Sequence, residues 1–422
     1  MDDFDHIQQD EEAAPQERFR TTRSLRDEQE LEALAQAKRR REKQRKNLKR
    51  LLHWGVILGV LAALAVVAHA SLGPVRLSAI SDAGRSVGRR GEGFPVDFSH
   101  SHTRQAALVG RNLALLGPTQ FDILNSHAYR LVEFTQPYPQ PSIRAANGRV
   151  VLFDRTLGML TLFSQTGTLA SMDLQRGIFN VDLGARGHLA VAVQSDAAAA
   201  EIFVFDPNQR QVFGFRCELE LPSAVRLSDN GSSLAMCLIG TQQAGIYARF
   251  VDFQIGATEP RTDLRIDSTW LYDTAHVSGG WLAVGDQAVY LIHYGAAQPL
   301  TASYEGRALH QFYLQNNGYS AILLDDWDNR SLLRVYDRNG SLVLEQSFAQ
   351  RPHGVTARGR AVYLHFDGIM LRWQQRGGFR QSQALPPGTQ EVLVAGRQAY
   401  LLTVRQAEQM RLRWSAADAE LF

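Results

Sequence analysis

The sequence predicts an all-β protein, a β-propeller of eight four-stranded antiparallel blades, preceded by one transmembrane helix. Three observations in the 422 residues predict this architecture. After Gly73, glycines recur at intervals of roughly 40 residues, and four short strand-like segments fill each interval. One uninterrupted apolar run lies before Gly73. Seven blades is the alternative, because the long intervals around Gly231 and Gly280 leave room for irregular spacing.

The chain opens with an acidic segment, MDDFDHIQQDEEAAPQE, that has few apolar residues. Such a composition predicts a disordered tail over residues 1–24. Ser24 and Asp27 have the spacing of a capping box, and the strong helix formers that follow predict a helix over residues 25–50. Arginines surround Thr21, Thr22 and Ser24, a context in which a phosphate group gains charge-assisted partners.

The apolar run predicts a transmembrane helix over residues 51–72. No charged or strongly polar side chain occurs between Trp54 and Ala68, and a helix of this length covers roughly 30 Å of hydrocarbon. A core helix of a soluble domain has polar side chains at helical spacing, and this run has none. A cleaved signal is the alternative because Ala68 and Ala70 resemble a cleavage site, although the leading region of about fifty residues exceeds that of a secretory signal.

A block of basic residues precedes the apolar run and is opposed only by Glu42. Its members are Lys38, Arg39, Arg40, Arg41, Lys43, Arg45, Lys46, Lys49 and Arg50. Such blocks stay on the cytoplasmic side, so the sequence predicts a cytoplasmic N-terminus and an extracytoplasmic C-terminal domain in the cell membrane. Each cation adds about 1 kcal/mol of attraction to anionic lipid headgroups, which makes the membrane surface, and not nucleic acid, the predicted partner of the block.

The repeats predict a linker over residues 73–92, a propeller over residues 93–416 and a tail over residues 417–422. One unit, SIRAANGRVVLFDRTLGMLTLFSQTGTLASMDL, reads as four strands separated by turns. A second unit contains Asn317-Gly318 and Asn339-Gly340, which predict hairpins with primed turns. One glycine after the first strand marks each unit: Gly110, Gly148, Gly187, Gly231, Gly280, Gly318, Gly359 and Gly396.

The last unit explains how the ring closes. EVLVAGRQAYLLTVRQAEQMRLRW supplies only three strands before the chain nearly ends. GFPVDFS, residues 93–99, is a strand without a unit of its own, and Pro95 is tolerated on an outermost strand. We therefore expect this segment to complete the last blade, because a ring leaves no bare sheet face only when it closes.

The basic tail, the single apolar span and units such as VVLFD and VYDRNGSL resemble an uncharacterised family of Gram-positive bacterial envelope proteins, known only as a domain of unknown function. More loosely, the units resemble quinoprotein-like and WD40-like propellers. The resemblance covers roughly residues 51 to 414. It implies a single-pass, membrane-anchored propeller and supplies no catalytic residues.

Few residues suggest chemistry. The segment DDWDN offers three carboxylates that suit calcium, Asp325, Asp326 and Asp328. The favoured interpretation is a solvated loop tip with Trp327 folded over its own blade. His100 and His102 lie two residues apart, as two ligands on one strand face do, but no nearby residue completes a zinc site.

The remaining candidates read as structural. Cys217 and Cys237 are predicted to be buried free thiols on different blades. Asp154, Asp206 and Asp337 follow strands and are predicted to accept hydrogen bonds within turns. No G-x-S-x-G, P-loop or H-E-x-x-H motif occurs, so the sequence predicts no catalytic residue and no cofactor.

The function predicted from these features is a binding or scaffolding module in the bacterial cell envelope, with a protein or an envelope ligand as its partner. A propeller enzyme with a site on the ring axis, as in quinoprotein-like propellers, is one alternative. A signalling protein regulated through its basic cytoplasmic tail is the other.

Overall fold

A computed structural model of the chain describes residues 89–98, 105–242 and 245–416, together with Gly59. These residues form β-strands and one short 3₁₀ helix, Trp327–Asn329. None of the helices in the described ranges is long and apolar enough to span a bilayer. Apart from Gly59, the predicted tail, basic helix and transmembrane segment lie outside the described residues, as do residues 73–88 of the linker and residues 417–422.

The strands form eight antiparallel sheets that correspond to the eight predicted blades. Blades 1 and 2 contain β2 (Gln105–Val109), β3 (Asn112–Leu116), β4 (Gln120–Leu124) and β5 (Arg130–Thr135), then β6 (Pro141–Ala146), β7 (Arg149–Asp154), β8 (Met159–Ser164) and β9 (Thr168–Asp173). Blades 3 and 4 contain β10 (Ile178–Leu183), β11 (Leu189–Gln194), β12 (Ala200–Phe205) and β13 (Gln211–Cys217), then β14 (Leu221–Leu227), β15 (Ser233–Gln242), β16 (Gly245–Gln254) and β17 (Thr262–Asp267). Blades 5 and 6 contain β18 (Leu271–Val277), β19 (Gly280–Gly285), β20 (Ala288–His293) and β21 (Leu300–Ser303), then β22 (Ala308–Tyr313), β23 (Ser320–Asp325), β24 (Ser331–Tyr336) and β25 (Leu342–Phe348).

Blades 7 and 8 close the ring. Blade 7 contains β26 (Gly354–Arg358), β27 (Ala361–Phe366), β28 (Ile369–Gln374) and β29 (Gly378–Ala384), with β33 (Ser415–Ala416) added at its outer edge. Blade 8 contains β30 (Glu391–Ala395), β31 (Gln398–Leu402) and β32 (Gln406–Arg411), and its fourth strand is β1 (Val96–Asp97) from the start of the propeller.

The pairing of β1 with β32 confirms the predicted closure. Val96 is the partner of Ala407, and Asp97 is the partner of Gln406. Phe98 extends this contact into the apolar cluster between blades 8 and 1. The sequence did not predict β33, whose two residues pair with Gln381 and Ser382 of blade 7. The end of the described chain therefore crosses from blade 8 back onto its neighbour.

Eight apolar clusters fill the eight boundaries between neighbouring blades. Strand β7 shows how one blade serves two boundaries, because side chains alternate between the two faces of a sheet. Val150 and Leu152 pack against blade 1, whereas Val151 and Phe153 pack against blade 3. Each blade thus buries both of its faces only when both neighbours are present.

First strands of neighbouring blades contact each other at most boundaries of the ring, including β2 with β30 across the closure. They therefore line the axis. Because the strands of a blade alternate in direction, all first strands begin at one face of the ring, which we call the mouth face. The loops between second and third strands, and those from a fourth strand to the next blade, also lie on the mouth face. The other loops lie on the opposite face.

Seven of the eight landmark glycines lie between the first and second strands of a blade, as the repeat predicted, and Gly280 is the first residue of the second strand β19. The turn at Asn147 and Gly148 is of the primed kind, with φ of 42° and 83°. The predicted primed turns at Asn317-Gly318 and Asn339-Gly340 are wrong. Only one residue of each pair has a positive φ, because each lies in a longer loop than a two-residue hairpin needs.

The long interval between Gly231 and Gly280 has a simple cause. Strands β15 and β16 each contain 10 residues and extend beyond the other strands of their blade. No blade is missing there, so eight blades, and not seven, is the correct number.

Candidate functional site

Side chains on the first strands connect neighbouring blades at the axis. Each first strand is an edge of its own sheet, so one row of its backbone N–H groups needs partners from outside the blade. Side-chain oxygens of the preceding blade accept four of these hydrogen bonds in the described residues: Ile143 N to Gln105 Oε1 (2.8 Å), Val225 N to Asn180 Oδ1 (3.4 Å), Leu227 N to Asp182 Oδ2 (2.8 Å) and Val355 N to Gln311 Oε1 (3.1 Å). Polar residues in these strands are thus part of the ring's architecture.

A buried charge network crosses the axis wall between blades 3, 4 and 5. Arg226 on β14 donates from Nη1 to Asp182 Oδ1 at 2.9 Å and from Nε to Asp273 Oδ1 at 2.6 Å. Its Nη2 also contacts Asp273 Oδ2. Burial by itself would lower the pKa of Arg226, but the two carboxylates raise it above its ordinary value. Arg226 therefore keeps its charge, and its hydrogen bonds fix the network in place.

A cavity of about 410 Å³ opens at the mouth face beside this network, between the first strands of blades 8, 1, 2 and 3. Gln105, Ser142, Arg144, Asn180 and Glu391 are among its lining residues. Polar groups from four blades thus converge on one opening, which is the arrangement of a ligand site.

Arg144 lines this cavity from β6. Its nearest carboxylate is Asp182, at 4.0 Å between Nε and Oδ1, and 39% of its side chain stays accessible to solvent. No protein atom in the described part of the chain accepts a hydrogen bond from its guanidinium. Burial and the nearby charge of Arg226 lower the pKa of Arg144, so its charge is incompletely compensated.

Glu391 begins β30 and lines the same cavity. The residue is exposed at the rim of the cavity, and partial removal of its carboxyl from water is the one cause that raises the pKa of this group. A carboxyl with a raised pKa in a cavity is a candidate acid or proton donor.

Three aromatic side chains follow one another from the mouth end of blade 5 to the first strand of blade 6. The ring centroids of Trp270 and Tyr272 are 5.9 Å apart, and those of Tyr272 and Phe312 are 6.5 Å apart, with 25° between the planes of each pair. Trp270 and Tyr272 are 41% and 40% exposed. We call these three residues the aromatic ladder.

The mouth face carries most of the large apolar side chains that are exposed in the described residues. Nine of them lie in its loops or at its strand ends: Leu157, Met159, Leu219, Leu221, Ile246, Trp270, Tyr272, Trp327 and Val404. Four lie on the opposite face: Leu169, Val212, Leu300 and Leu342. Tyr313, at the far end of β22, is the remaining one. The two faces of the ring therefore differ in chemistry.

The chain joins the ring at the opposite face. Strand β1 is the fourth strand of blade 8 and begins there, and Gly91 N donates to His127 O in the β4–β5 loop of that face. Asn125 Nδ2 donates to Arg89 O in the same place. The described residues that lead into the propeller, residues 89–95, thus lie at the opposite face and not at the mouth face.

The segment DDWDN lies on the mouth face between β23 and β24. Arg351 Nη2 lies 2.7 Å from Asp325 Oδ1, and Arg307 Nε lies 2.9 Å from Asp326 Oδ1. Among the residues that the structure describes, no group of three His, Cys, Asp or Glu side chains is placed to hold a metal ion. The prediction that Trp327 folds over its own blade is wrong, because its side chain is 68% exposed on a short 3₁₀ turn.

Several predicted roles are confirmed. Cys217 on β13 and Cys237 on β15 are free and buried on neighbouring blades. Asp154 Oδ1 accepts hydrogen bonds from Thr156 N and Leu157 N. Asp206 and Asp337 do the same for backbone N–H groups of their own turns. His100, His102, the three hydroxyl residues of the tail and the basic block lie outside the described residues.

The sequence interpretation missed Arg144, Arg226, Glu391 and the aromatic ladder. A signal for the arginines exists, since each interrupts a first strand that is otherwise uncharged or apolar, as in SIRAA and SAVRL. A charge at such a position predicts a side chain that faces the axis. Which charges meet there depends on the ring, and one repeat unit alone does not show it.

Comparisons with known proteins agree with this architecture. Residues 132–412 match the model of a family described as "Family of unknown function (DUF5711)". No curated protein sequence matches the chain. Among solved structures, the C-terminal WD40 domain of Sif2 is 12% identical with a TM-score of 0.53, over 75% of this chain and 97% of that one.

Two further propellers are similar in the same way. A structure of the eukaryotic initiation factor is 10% identical with a TM-score of 0.51, over 74% of this chain and 87% of that one. BamB from Moraxella catarrhalis is 12% identical with a TM-score of 0.46, over 75% of this chain and all of that one. At these identities the likeness to the first two shows the propeller fold alone.

Proposed function

From the premise that this chain belongs to DUF5711, a family of unknown function, we propose that its propeller is a binding module that holds a protein partner on its mouth face. The observation that carries the proposal is the unequal distribution of exposed apolar side chains, nine on the mouth face against four on the opposite face. Exposed aromatic and aliphatic side chains gathered on one face mark interaction surfaces.

The aromatic ladder is the proposed centre of this surface. Tyr and Trp supply large contact areas at a low cost in side-chain entropy, and they dominate the binding energy of many protein interfaces. Trp270 and Tyr272 are partly exposed and hold each other in place by their ring contact. Because residues 89–98 join the ring at the opposite face, this part of the chain does not cover the ladder.

We further propose that residues 51–72 anchor this module in the cell membrane, with the basic block on the cytoplasmic leaflet and the propeller in the cell envelope outside. The support is the sequence itself, an apolar run of membrane-spanning length directly after the basic residues.

Site-specific photo-crosslinking in native membranes tests the binding role. A photoreactive phenylalanine analogue replaces Tyr272 on the mouth face or, as control, Leu169 on the opposite face, since both side chains are 40% exposed. We expect a discrete protein adduct from position 272 that is weakened by Trp270→Ala and absent at position 169. Equal adducts from both positions, or none from position 272, contradict the proposal.

Protease accessibility tests the location. Protease added to intact cells is expected to digest the propeller of a C-terminally tagged chain and to spare an N-terminal tag. Protection of the C-terminal tag in intact cells, with digestion in lysates, contradicts the proposed topology.

An enzyme with an axial site is the second candidate, and Glu391 is the observation that favours it. A carboxyl with a raised pKa in the axial cavity has the character of a general acid. Incubation of the purified chain with isolated envelope fractions, followed by mass spectrometry, tests this candidate. Products that Glu391→Gln abolishes support an enzyme, and identical spectra with and without the chain count against one.

A further inference from the structure

We infer that the axial cavity binds an oxyanion, a carboxylate or phosphate group of the ligand, and that Arg144 is the residue that holds it. This inference rests on the proposed binding role of the mouth face and names the chemistry of one of its contacts. The evidence is the contrast between two arginines on the same axis wall.

Arg226 and Arg144 occupy first strands two blades apart, on β14 and β6. Arg226 has both neighbouring carboxylates as hydrogen-bonding partners. A guanidinium carries five N–H donors in a planar fork, and those of Arg144 donate to no protein atom in the described ranges. Arg226 therefore links neighbouring blades, whereas Arg144 presents its unused N–H donors to the cavity.

Asp182 does not serve as the missing partner of Arg144. Its Oδ1 accepts from Arg226 at 2.9 Å and its Oδ2 accepts from Leu227 N at 2.8 Å. The 4.0 Å that separates Asp182 Oδ1 from Arg144 Nε exceeds hydrogen-bonding distance. Both carboxylate oxygens of Asp182 thus accept hydrogen bonds from blade 4, and the Arg144 guanidinium remains available to a group that enters the cavity.

The carboxyls of the first strands leave two arginines without an ionic hydrogen bond. These strands carry Arg144, Arg226 and Arg358 against Asp182, Asp273 and Glu391. Both aspartates bind Arg226, and burial raises the pKa of Glu391, which disfavours its charged form. Within the described residues, Arg358 donates to a backbone oxygen, Gly110 O, at 3.2 Å.

Carboxylate and phosphate groups match a guanidinium because two of their oxygens accept two parallel N–H bonds. An anion at Arg144 would offset the burial and the charge of Arg226 that lower the pKa of this residue. Water fills the same position less well, because it carries no compensating charge. The cavity of about 410 Å³ admits an anionic group of modest size from the mouth.

Anion-dependent thermal stability of the purified full-length chain tests the inference. The probes are inorganic phosphate and citrate, each titrated at constant ionic strength against sodium chloride. A ligand that binds only the folded protein raises the melting temperature in a saturable way. We expect such a rise with at least one probe, and the probe that gives it distinguishes a phosphate from a carboxylate ligand.

Arg144→Gln is expected to weaken the binding of that probe about tenfold or more, because charge-assisted hydrogen bonds are lost. Arg144→Lys is expected to recover part of the affinity. Arg210→Gln is the matched control, since Arg210 lies in an exposed hairpin away from the cavity and its loss changes net charge equally. The Gln variant should fold, because the side chain that it replaces makes no hydrogen bond with the described protein.

No saturable rise with either probe overturns the inference, as does equal affinity in Arg144→Gln and wild type. Loss of affinity in Arg210→Gln to the same degree also overturns it, because the effect is then one of net charge. The assay contains no partner protein. Its failure therefore leaves the crosslinking result at Tyr272 standing, and the reverse also holds.

Discussion

Asp182 binds Arg226 and fixes the backbone beside it. One carboxylate oxygen accepts from the Arg226 guanidinium at 2.9 Å, and the other accepts from the next backbone N–H at 2.8 Å. Blades 3 and 4 are thereby held in one register at the axis. Apolar packing at the blade boundaries is not directional, so contacts of this kind set the position of one blade against the next.

The charge network should be worth far more than a surface ion pair. Arg226→Met leaves two carboxylates uncompensated inside the ring, and we expect it to lower the free energy of unfolding by about 3–5 kcal/mol. Urea unfolding followed by tryptophan fluorescence measures the change. Arg130→Gln is the control, because Arg130 and Glu133 form an exposed pair, 50% and 58% accessible, whose loss costs about 1 kcal/mol or less. Equal midpoints for the two variants would refute the structural role of the network.

The closure of the ring can be locked covalently. Directly opposed residues of antiparallel strands have Cα atoms about 4.5–5.5 Å apart, which suits a disulfide. Val96→Cys with Ala407→Cys should therefore crosslink under oxidising conditions and raise the free energy of unfolding, by up to about 5–6 kcal/mol in the loop-entropy model, so the melting temperature should also rise. The control pair, Val96→Cys with Gln409→Cys, is two residues out of register and should not crosslink. Mobility on a non-reducing gel distinguishes the two, and crosslinking of the control alone would contradict the pairing.

The two cysteines should be chemically silent in the folded protein. Burial raises the pKa of Cys217 to about 12 and raises that of Cys237 as well, and the thiolate is the reactive form. We expect no reaction with a thiol-specific disulfide reagent at pH 8 until a denaturant is added, after which both thiols react. Leu219→Cys, at a position 80% exposed, should react at once. Rapid labelling of the native wild type would show that one of two boundaries is open, the one between blades 3 and 4 that contains Cys217 or the one between blades 4 and 5 that contains Cys237.

Glu391 should make the protein less stable as the pH rises. Its pKa in the folded state is raised above the ordinary value of 4.5 by burial. At a pH between 4.5 and the raised pKa of the folded state, the folded state binds more protons than the unfolded state. The free energy of unfolding therefore falls with increasing pH in this range. Glu391→Gln is expected to melt at a higher temperature than wild type at pH 7, with the difference vanishing near pH 4. Glu259→Gln, in an exposed loop, provides the comparison, and an equal effect of both substitutions would contradict the assignment.

The fold was predictable from the sequence because each blade repeats its own turn chemistry. A glycine between the first and second strands recurs in all eight units, and Asp154, Asp206 and Asp337 stabilise turns locally. These signals act within a few residues, so they can be recognised in a single unit. The primed turns predicted at Asn317 and Asn339 were wrong because the type of a turn depends on the length of its loop. That length depends on where the flanking strands end.

The candidate site was not predictable in the same way. Arg144, Asp182 and Arg226 belong to three blades and meet only because the ring brings first strands together. The aromatic ladder likewise joins a loop of blade 5 to a strand of blade 6. Strand β33 is too short to show any alternation in the sequence, and its position depends on the edge that blade 7 offers.

The pairing of β1 with β32 also sets the order of events during biosynthesis. The segment around Val96 leaves the ribosome long before its partner around Ala407 is translated. Until then the nascent chain carries seven near-complete sheets and one unmatched strand. The toroid can therefore be sealed only after Ala407 has been translated, and a polypeptide that terminates before that residue would lack the means to seal it.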